Sequence, residues 1–351
     1  MTDTKRSELS ELGEFGLIDH LTGDIKLRNK GSVKGVGDDA AVIDHGNKVC
    51  LVSTDLLVEG VHFDLSYTPL KHLGYKAAVV NFSDIYAMNG TPGQITVGLA
   101  LSNRFSLEAI DEIYEGIKLA CERYHVDLVG GDTTSSLSGM FLSVTAIGSA
   151  KKEDVIYRNT AREHDLICVS GDLGAAYMGL LVLEREKQVF KANPDMQPDL
   201  EGLDYILERQ LKPEARNDIG KMLQGVKVVP SAMIDISDGL ASDIMHICKG
   251  SDLGCQIYTD KLPIDAVTMN VAAEFQIDPN TAVMNGGEDY ELLFTIKPDD
   301  YEKLKDITGI SVIGHMTDPQ AGMNLLTPDG MSIAIKAQGW DGLKDKLSPG
   351  D

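Results

Sequence analysis

A chain of 351 residues with 32 Lys and Arg against 54 Asp and Glu has a formal charge of −22. That balance argues against nucleic acid and against an anionic membrane surface as partners, because both are met by a basic face. The length predicts about two domains, and 43% hydrophobic residues suffice for two packed cores. The five cysteines, Cys50, Cys121, Cys168, Cys248 and Cys255, form no C-x-x-C pair, and the first three lie in apolar runs. They read as reduced thiols filling core space in a cytoplasmic protein. The N-terminus, Met1-Thr-Asp-Thr-Lys-Arg-Ser-Glu, lacks a signal-peptide pattern. The uncharged stretch 85–103 is interrupted by Asn89-Gly-Thr-Pro-Gly-Gln, which does not suit a membrane helix.

In chain order, residues 48–53 are apolar and β-branched and predict a strand. Helical spacing over 71–88 stops at Asn89-Gly90, and Ile95, Val97, Leu99 and Leu101 alternate as a strand. Ser106 then caps a helix whose apolar positions, Leu107, Ile110, Ile113, Ile117, Cys121 and Tyr124, recur at steps of three and four. A strand at 141–147 completes an α+β half ending near residue 150. The charged stretch 151–165 reads as the connection, giving domains 1–150 and 151–351. Strands at 166–169, 233–236, 290–296 and 311–313 with helices between them make the second part α/β. Thr327-Pro-Asp-Gly-Met331 is a hairpin turn, and the polar stretch 187–200 is a surface excursion. No fixed-period repeat is present, although Val80-Asn-Phe-Ser-Asp84 and Ile234-Asp-Ile-Ser-Asp238 echo each other.

Chemistry concentrates in acids beside small residues: Gly37-Asp-Asp39, Ser53-Thr-Asp55, Asn81-Phe-Ser-Asp84, Gly130-Gly-Asp132, Asp235-Ile-Ser-Asp238 and Gly286-Gly-Glu288-Asp. The pattern expects them where apolar strands end, with hard oxygen ligands at a sheet rim and room for a phosphate. Each alone serves equally as a turn former or helix cap. Six together, if they converge, repel one another and require cations between them. Oxygen ligands without clustered His or Cys favour Mg²⁺ or Mn²⁺ over zinc, and Mg²⁺ so held completes its shell with substrate phosphates. Gly35-Val-Gly37-Asp-Asp-Ala40 formally fits a dinucleotide fingerprint, but its two carboxylates would face the pyrophosphate. A Walker A sequence, the protein-kinase motifs and a G-x-S-x-G elbow are all absent. What remains is metal-bridged nucleotide binding by carboxylates.

The same residues carry a resemblance. Glu14-Phe-Gly-Leu-Ile, Gly37-Asp-Asp-Ala-Ala, Ser53-Thr-Asp-Leu-Leu-Val-Glu-Gly-Val-His62-Phe, Val80-Asn-Phe-Ser-Asp84, Gly130-Gly-Asp-Thr-Thr, Asp235-Ile-Ser-Asp-Gly-Leu and Gly286-Gly-Glu-Asp-Tyr-Glu-Leu resemble the thiamine-monophosphate kinase family in order and spacing across nearly the whole chain. The Gly-Asp-Asp and Gly-Gly-Asp pieces are shared with the wider superfamily of aminoimidazole ribonucleotide synthetase and selenophosphate synthetase. The resemblance implies a two-domain α/β (α+β) fold, with the N-terminal sheet pairing with its twin in a homodimer and the C-terminal domain closing over nucleotide and substrate. It implies transfer of the ATP γ-phosphoryl group to thiamine monophosphate with several Mg²⁺. Asp39, Ser53, Thr54, Asp55, Asp84, Asp132, Asp235 and Asp238 would ligate magnesium, with turnover resting most on Asp84, Asp132 and Asp235. Tyr114, Gly131, Asp132, Arg158 and Ser237 would hold ATP; His62, Glu288 and Trp340 would hold the substrate.

Four of these residues have plain structural readings. Tyr114 lies beside the Ile113/Ile117 stripe, Arg158 sits in the connecting segment, His62 is flanked by Val61 and Phe63, and Trp340 suits closure of a core. Two rival functions stand beside the kinase. One is another ATP-using member of the superfamily; a selenophosphate synthetase would want a reactive Cys in a glycine-rich N-terminal stretch, which this chain lacks. The other is a divalent-metal-binding protein without catalysis.

Overall fold

The computed structural model describes residues 20–34, 42–43 and 46–336. The chain divides between Val155 and Ile156, inside the charged connection, into two compact units, each with its own sheet.

In the first unit a short pair, β1 (Ser32–Lys34) and β2 (Val42–Ile43), precedes β3 (Val49–Val58). There follow α1 (Leu70–Ala87), β4 (Thr91–Leu101), α2 (Leu107–Tyr124), β5 (Asp127–Ser135) and β6 (Met140–Ala150). The sheet order is β3-β6-β4-β5; β4 and β5 are parallel because α2 crosses between them, and β6 is antiparallel to both its neighbours. Ser106 caps α2 as expected, accepting the Ala109 N–H at 3.4 Å, and Ile110, Ile113 and Ile117 are fully buried. α1 packs on β3, β4 and β6, and Asn89 just beyond it takes φ +56° to turn the chain.

Strand period decides which side of β3 is covered. Leu51 and Leu57 are buried and Ser53 and Asp55 half-buried, whereas Cys50, Val52, Thr54 and Leu56 are exposed on the other side. Cys50 therefore does not fill core space as its apolar run suggested; the other four cysteines are buried.

The second unit runs β7 (Leu166–Ser170), α3 (Ala175–Ala192), α4 (Asp204–Leu211), α5 (Ile219–Gly225), β8 (Ala232–Asp235), α6 (Leu240–Ser251) and β9 (Gly254–Tyr258). It continues with α7 (Ala266–Glu274), α8 (Pro279–Asn285), β10 (Leu292–Ile296), α9 (Tyr301–Leu304), β11 (Ile310–Thr317), β12 (Met323–Leu326) and β13 (Ser332–Ala334). The strand order is β13-β12-β9-β11-β7-β10-β8. Ile167, Val169, Leu293 and Ile313 of the sheet and Leu240, Ile244 and Ile247 of α6 form one buried cluster. The turn at 327–331 joins antiparallel β12 and β13, as its Pro-Asp-Gly predicts. Residues 187–192 belong to α3, so the surface excursion is shorter than the polarity of 187–200 suggested.

One feature of this sheet positions chemistry. β10 is antiparallel to both β7 and β8, with Leu293 opposite Val169 and Leu292 opposite Asp235. The C-terminal ends of β7 and β8 and the start of β10 therefore share one end of the sheet. The loops Gly171–Gly174, Ile236–Gly239 and 286–291 are neighbours there. The echo between Val80–Asp84 and Ile234–Asp238 is not a repeat: one is mid-helix, the other a strand end.

Candidate active site

Among the described residues of the first unit, Asp55, Asp84 and Asp132 stand inside regular elements, not past strand ends. Ser53 and Asp55 lie mid-β3 on its covered side, and Asp84 lies in the last turns of α1. Ser53 Oγ donates to Asp84 Oδ2 in a short hydrogen bond. Burial raises the Asp84 carboxyl above its ordinary range, with Ser53 pulling the other way. β3 is an edge strand, so its outward N–H groups need partners from elsewhere. Asn81, fully buried on α1, supplies one by accepting the Asp55 N–H at 3.1 Å while its own amide donates to Ala77 O. Thr54 points the opposite way, where its hydroxyl bonds Val144 O at 3.1 Å and Thr145 Oγ1 at 2.9 Å. Any metal contact from Thr54 would thus have to come from its main chain.

Tyr114, Gly131 and Asp132 come together. They line a cavity of about 40 Å³ with Leu21, Thr22, Leu128, Gly130 and Thr133. A register shift between β4 and β5 just before Gly130 re-aims the residues that follow. A Cβ on Gly131 would lie 1.9 Å from Val97 O, so only glycine lets β5 run this close to β4. Tyr114 is 6% exposed and its phenol is pushed up to about 12 by burial, so it both packs in the helix stripe and closes the cavity. His62 follows β3; Val58 N–H donates to its Nδ1 at 3.0 Å, which leaves the proton of the neutral ring on Nε2.

In the second unit Asp235 ends β8, and Ser237, Asp238 and Glu288 belong to two loops joined by backbone. Ile236 N–H bonds Glu291 O, Tyr290 N–H bonds Ile236 O and Glu288 N–H bonds Ser237 O, each at 2.8 Å. Gly287 (φ +70°) makes this approach possible, since a Cβ there would meet Ser237 O at 2.5 Å. Glu288 and Tyr290 are themselves left-handed, at φ +63° and +52°. Arg158 is exposed, and with Asp238 it falls within electrostatic range of His246 on α6.

Asp243 is the residue that motif reading passed over. It sits in the first turn of α6, 2% exposed, and the backbone N–H groups of Ser237 and Asp238 donate to it, while its Oδ2 has no hydrogen-bond partner. Burial pushes its carboxyl well above the usual range, and the charges of Asp235 and Asp238 add to that. Its signal in the sequence is only an acid five residues after Asp238, on the buried side of a helix start.

The donors of each unit suit a hard divalent cation: all are oxygens, Asp84 of the first unit is a half-buried carboxylate, and Asp243 of the second is buried and keeps an unpartnered oxygen beside two other acids. Among the described residues no three His, Cys, Asp or Glu side chains form a group able to hold a metal ion by themselves. A cation here would take further ligands from phosphate or water. Asp39 and Trp340 lie outside the described residues, as do Gly37 and Glu14.

Residues 37–150 match the family model described as AIR synthase related protein, N-terminal domain, which places the first unit in that class of domain. Thiamine-monophosphate kinase of Bacillus subtilis is 33% identical over 342 residues, covering 95% of this chain and 100% of that protein. The chain belongs to the thiamine-monophosphate kinase family. Its fold is similar to the crystal structure of thiamine-monophosphate kinase from Stenotrophomonas maltophilia K279a (TM-score 0.77, 31% identity, 92% of this chain and 98% of that one). It is also similar to the solved structure of AaThiL complexed with AMPPCP and TMP (TM-score 0.70, 32% identity, 94% and 97%).

Proposed function

We propose that this protein works in the cytoplasm and phosphorylates thiamine monophosphate to thiamine diphosphate at the expense of ATP; its relatives are named thiamine-monophosphate kinase, and one of similar fold was solved with AMPPCP and TMP. The observation that carries the reading is the cavity lined by Tyr114 of α2 and Gly131 and Asp132 of β5, all assigned to nucleotide by family resemblance. A phosphate oxygen of the acceptor attacks the γ-phosphorus in line, the bond to the β-phosphate oxygen breaks, and ADP leaves. The acceptor oxygen is already ionised at neutral pH, so no general base is needed.

The residues divide the work. In the first unit, Ser53, Asp55, Asp84, Asp132 and the Thr54 main chain hold magnesium, and Tyr114, Gly131 and Asp132 hold ATP. In the second, Asp235 and Asp238 hold magnesium while Ser237 and Arg158 hold ATP, the guanidinium offering a planar fork to a phosphate. Bound Mg²⁺ neutralises the phosphates and stabilises the charge of the transition state. His62 presents its Nε2–H to an anionic group, and Glu288 pairs with the cationic thiamine head. Asp39 and Trp340 join the metal and substrate sets on the resemblance alone.

The test is thiamine diphosphate formation from ATP and thiamine monophosphate with and without Mg²⁺, read by chromatography of the oxidised fluorescent products. Magnesium-dependent product with matching ADP, and none from free thiamine, is expected. Comparable phosphorylation of free thiamine would sink the phosphate-acceptor reading.

We also propose that two copies pair through the open side of the first sheet, where Val52 and Leu56 are 64% and 53% exposed on one strand. Pairing would cover that apolar side. Leu56→Glu should turn a dimer into a monomer in sedimentation; a wild-type monomer at micromolar concentration would overturn this.

A further inference from the structure

The loop that carries Glu288 is braced by a residue with no assigned role. Arg209, on α4, is largely buried and spreads its guanidinium over two loops at the shared end of the sheet. Nη2 donates to Asp172 O at 3.0 Å and to Asp289 O at 3.3 Å. Nη1 donates to Glu291 Oε1 at 2.8 Å, and Nη2 lies 3.6 Å from Asp289 Oδ1. The same two loops meet again where Gly174 N–H donates to Asp289 Oδ2 at 2.9 Å. Glu291 is fixed from its other side by Ser170 Oγ and by Arg216 Nη1, both at 2.5 Å from Oε2.

Between these anchors the chain holds Glu288 and Tyr290 in the left-handed region, a conformation non-glycine residues keep only when their surroundings enforce it. A planar fork reaching two carbonyls and a carboxylate at once is a job for arginine, which a lysine ammonium on a flexible stem cannot do. Arg216 grips Glu291 and Asp218 but touches neither carbonyl.

We propose that Arg209 is a positioning residue for substrate: it clamps the 286–291 loop to the Gly171–Gly174 loop and so sets where Glu288 stands. This rests on the reading of Glu288 as a substrate contact. Misplacing a binding group by an ångström is enough to cost about a hundredfold.

The experiment compares Arg209→Lys, Arg216→Lys and Glu288→Gln in steady-state kinetics, with hydrogen exchange of the Glu288 and Tyr290 amides in the full-length protein. Arg209→Lys is expected to lower kcat/KM for thiamine monophosphate about 100-fold, mostly through KM, with KM for ATP changed less than about twofold. Its Glu288 and Tyr290 amides, bonded to Ser237 O and Ile236 O, should lose protection. Arg216→Lys should lower the thermal midpoint about as much as Arg209→Lys does, yet leave both amides protected and KM within about threefold. If Arg209→Lys does not fold, Glu291→Gln, which weakens the Arg209 Nη1 contact along with those from Arg216 and Ser170, should show a loss of amide protection that Arg216→Lys does not, with about a tenfold effect. Equal KM shifts in both arginine variants, tracking their loss of stability, would overturn the proposal, as would unchanged amide protection in Arg209→Lys. An unchanged KM in Glu288→Gln with lost protection in Arg209→Lys would refute the substrate role of Glu288 and leave the clamp standing.

Discussion

Asp55 and Asp84 of the first unit stand on a strand and a helix, whereas Asp235, Asp238 and Glu288 of the second stand on or beside loops at a strand end. In the first unit a side chain is aimed by the pleat or the helix that carries it, and neighbours such as Ser53 and Asn81 only refine it. In the second, hydrogen bonds between loops do the aiming, with Asp243, Gly287 and Arg209 behind them. A site on regular elements tolerates change in its supports better than one on braced loops, because the backbone ladder fixes its geometry. Supports should therefore matter more in the second unit, and the carboxylates themselves in the first.

The largest effect is expected from Asp84→Asn. The amide keeps the Ser53 contact and removes the charge, so turnover should fall 10²- to 10³-fold, about 3–4 kcal/mol of transition-state stabilisation, with unchanged circular dichroism. A loss under about tenfold would mean that the first unit's acids do not carry the phosphates.

Next comes pH dependence in the second unit. Burial raises Asp289 from 3.8 to about 7, with Arg209 opposing. The folded state then holds this proton more tightly than the unfolded chain. Its contribution to stability is complete below the unfolded value and is lost as pH rises from about 4 to about 7, on the order of 4 kcal/mol. Asp289→Asn, which retains an acceptor for Gly174 N–H, should flatten that part of the stability curve in urea denaturation. Parallel curves for variant and wild type would show that the loop does not store this charge cost.

The smallest effect should come from Thr54→Val. It removes a hydroxyl bonded to Val144 O and Thr145 on the side of β3 away from Asp84, at a cost of roughly 1 kcal/mol. Activity should stay within about twofold, since the main chain is untouched. A Mg²⁺ requirement shifted tenfold or more would put the Thr54 hydroxyl on a metal and blur the contrast between the two sides of the strand.

Much of the architecture is written locally. Ser106 and the spaced isoleucines of α2, the Pro-Asp-Gly hairpin turn, and the apolar strands β4, β6, β7 and β10 each follow from residues within one or two turns of one another, because caps, turns and periodicity are short-range physics. The acid-bearing motifs were equally plain, since small residues beside carboxylates stand out in any sequence. Their setting was not. Asp84 belongs to a helix and Ser53 to the middle of a strand, and nothing local tells an acid at a strand end from one within it.

What tertiary structure alone settled is direction and support. Cys50 is exposed and Leu51 buried because one side of β3 meets α1, a partner 20 residues away. Asn81 reaches Asp55, and Arg209 reaches Asp289 across 80 residues, as contacts with no spacing rule in the chain. Side-chain identity and local propensity travel with the sequence; the pairing of distant polar groups exists only once burial has removed the water that would otherwise satisfy them.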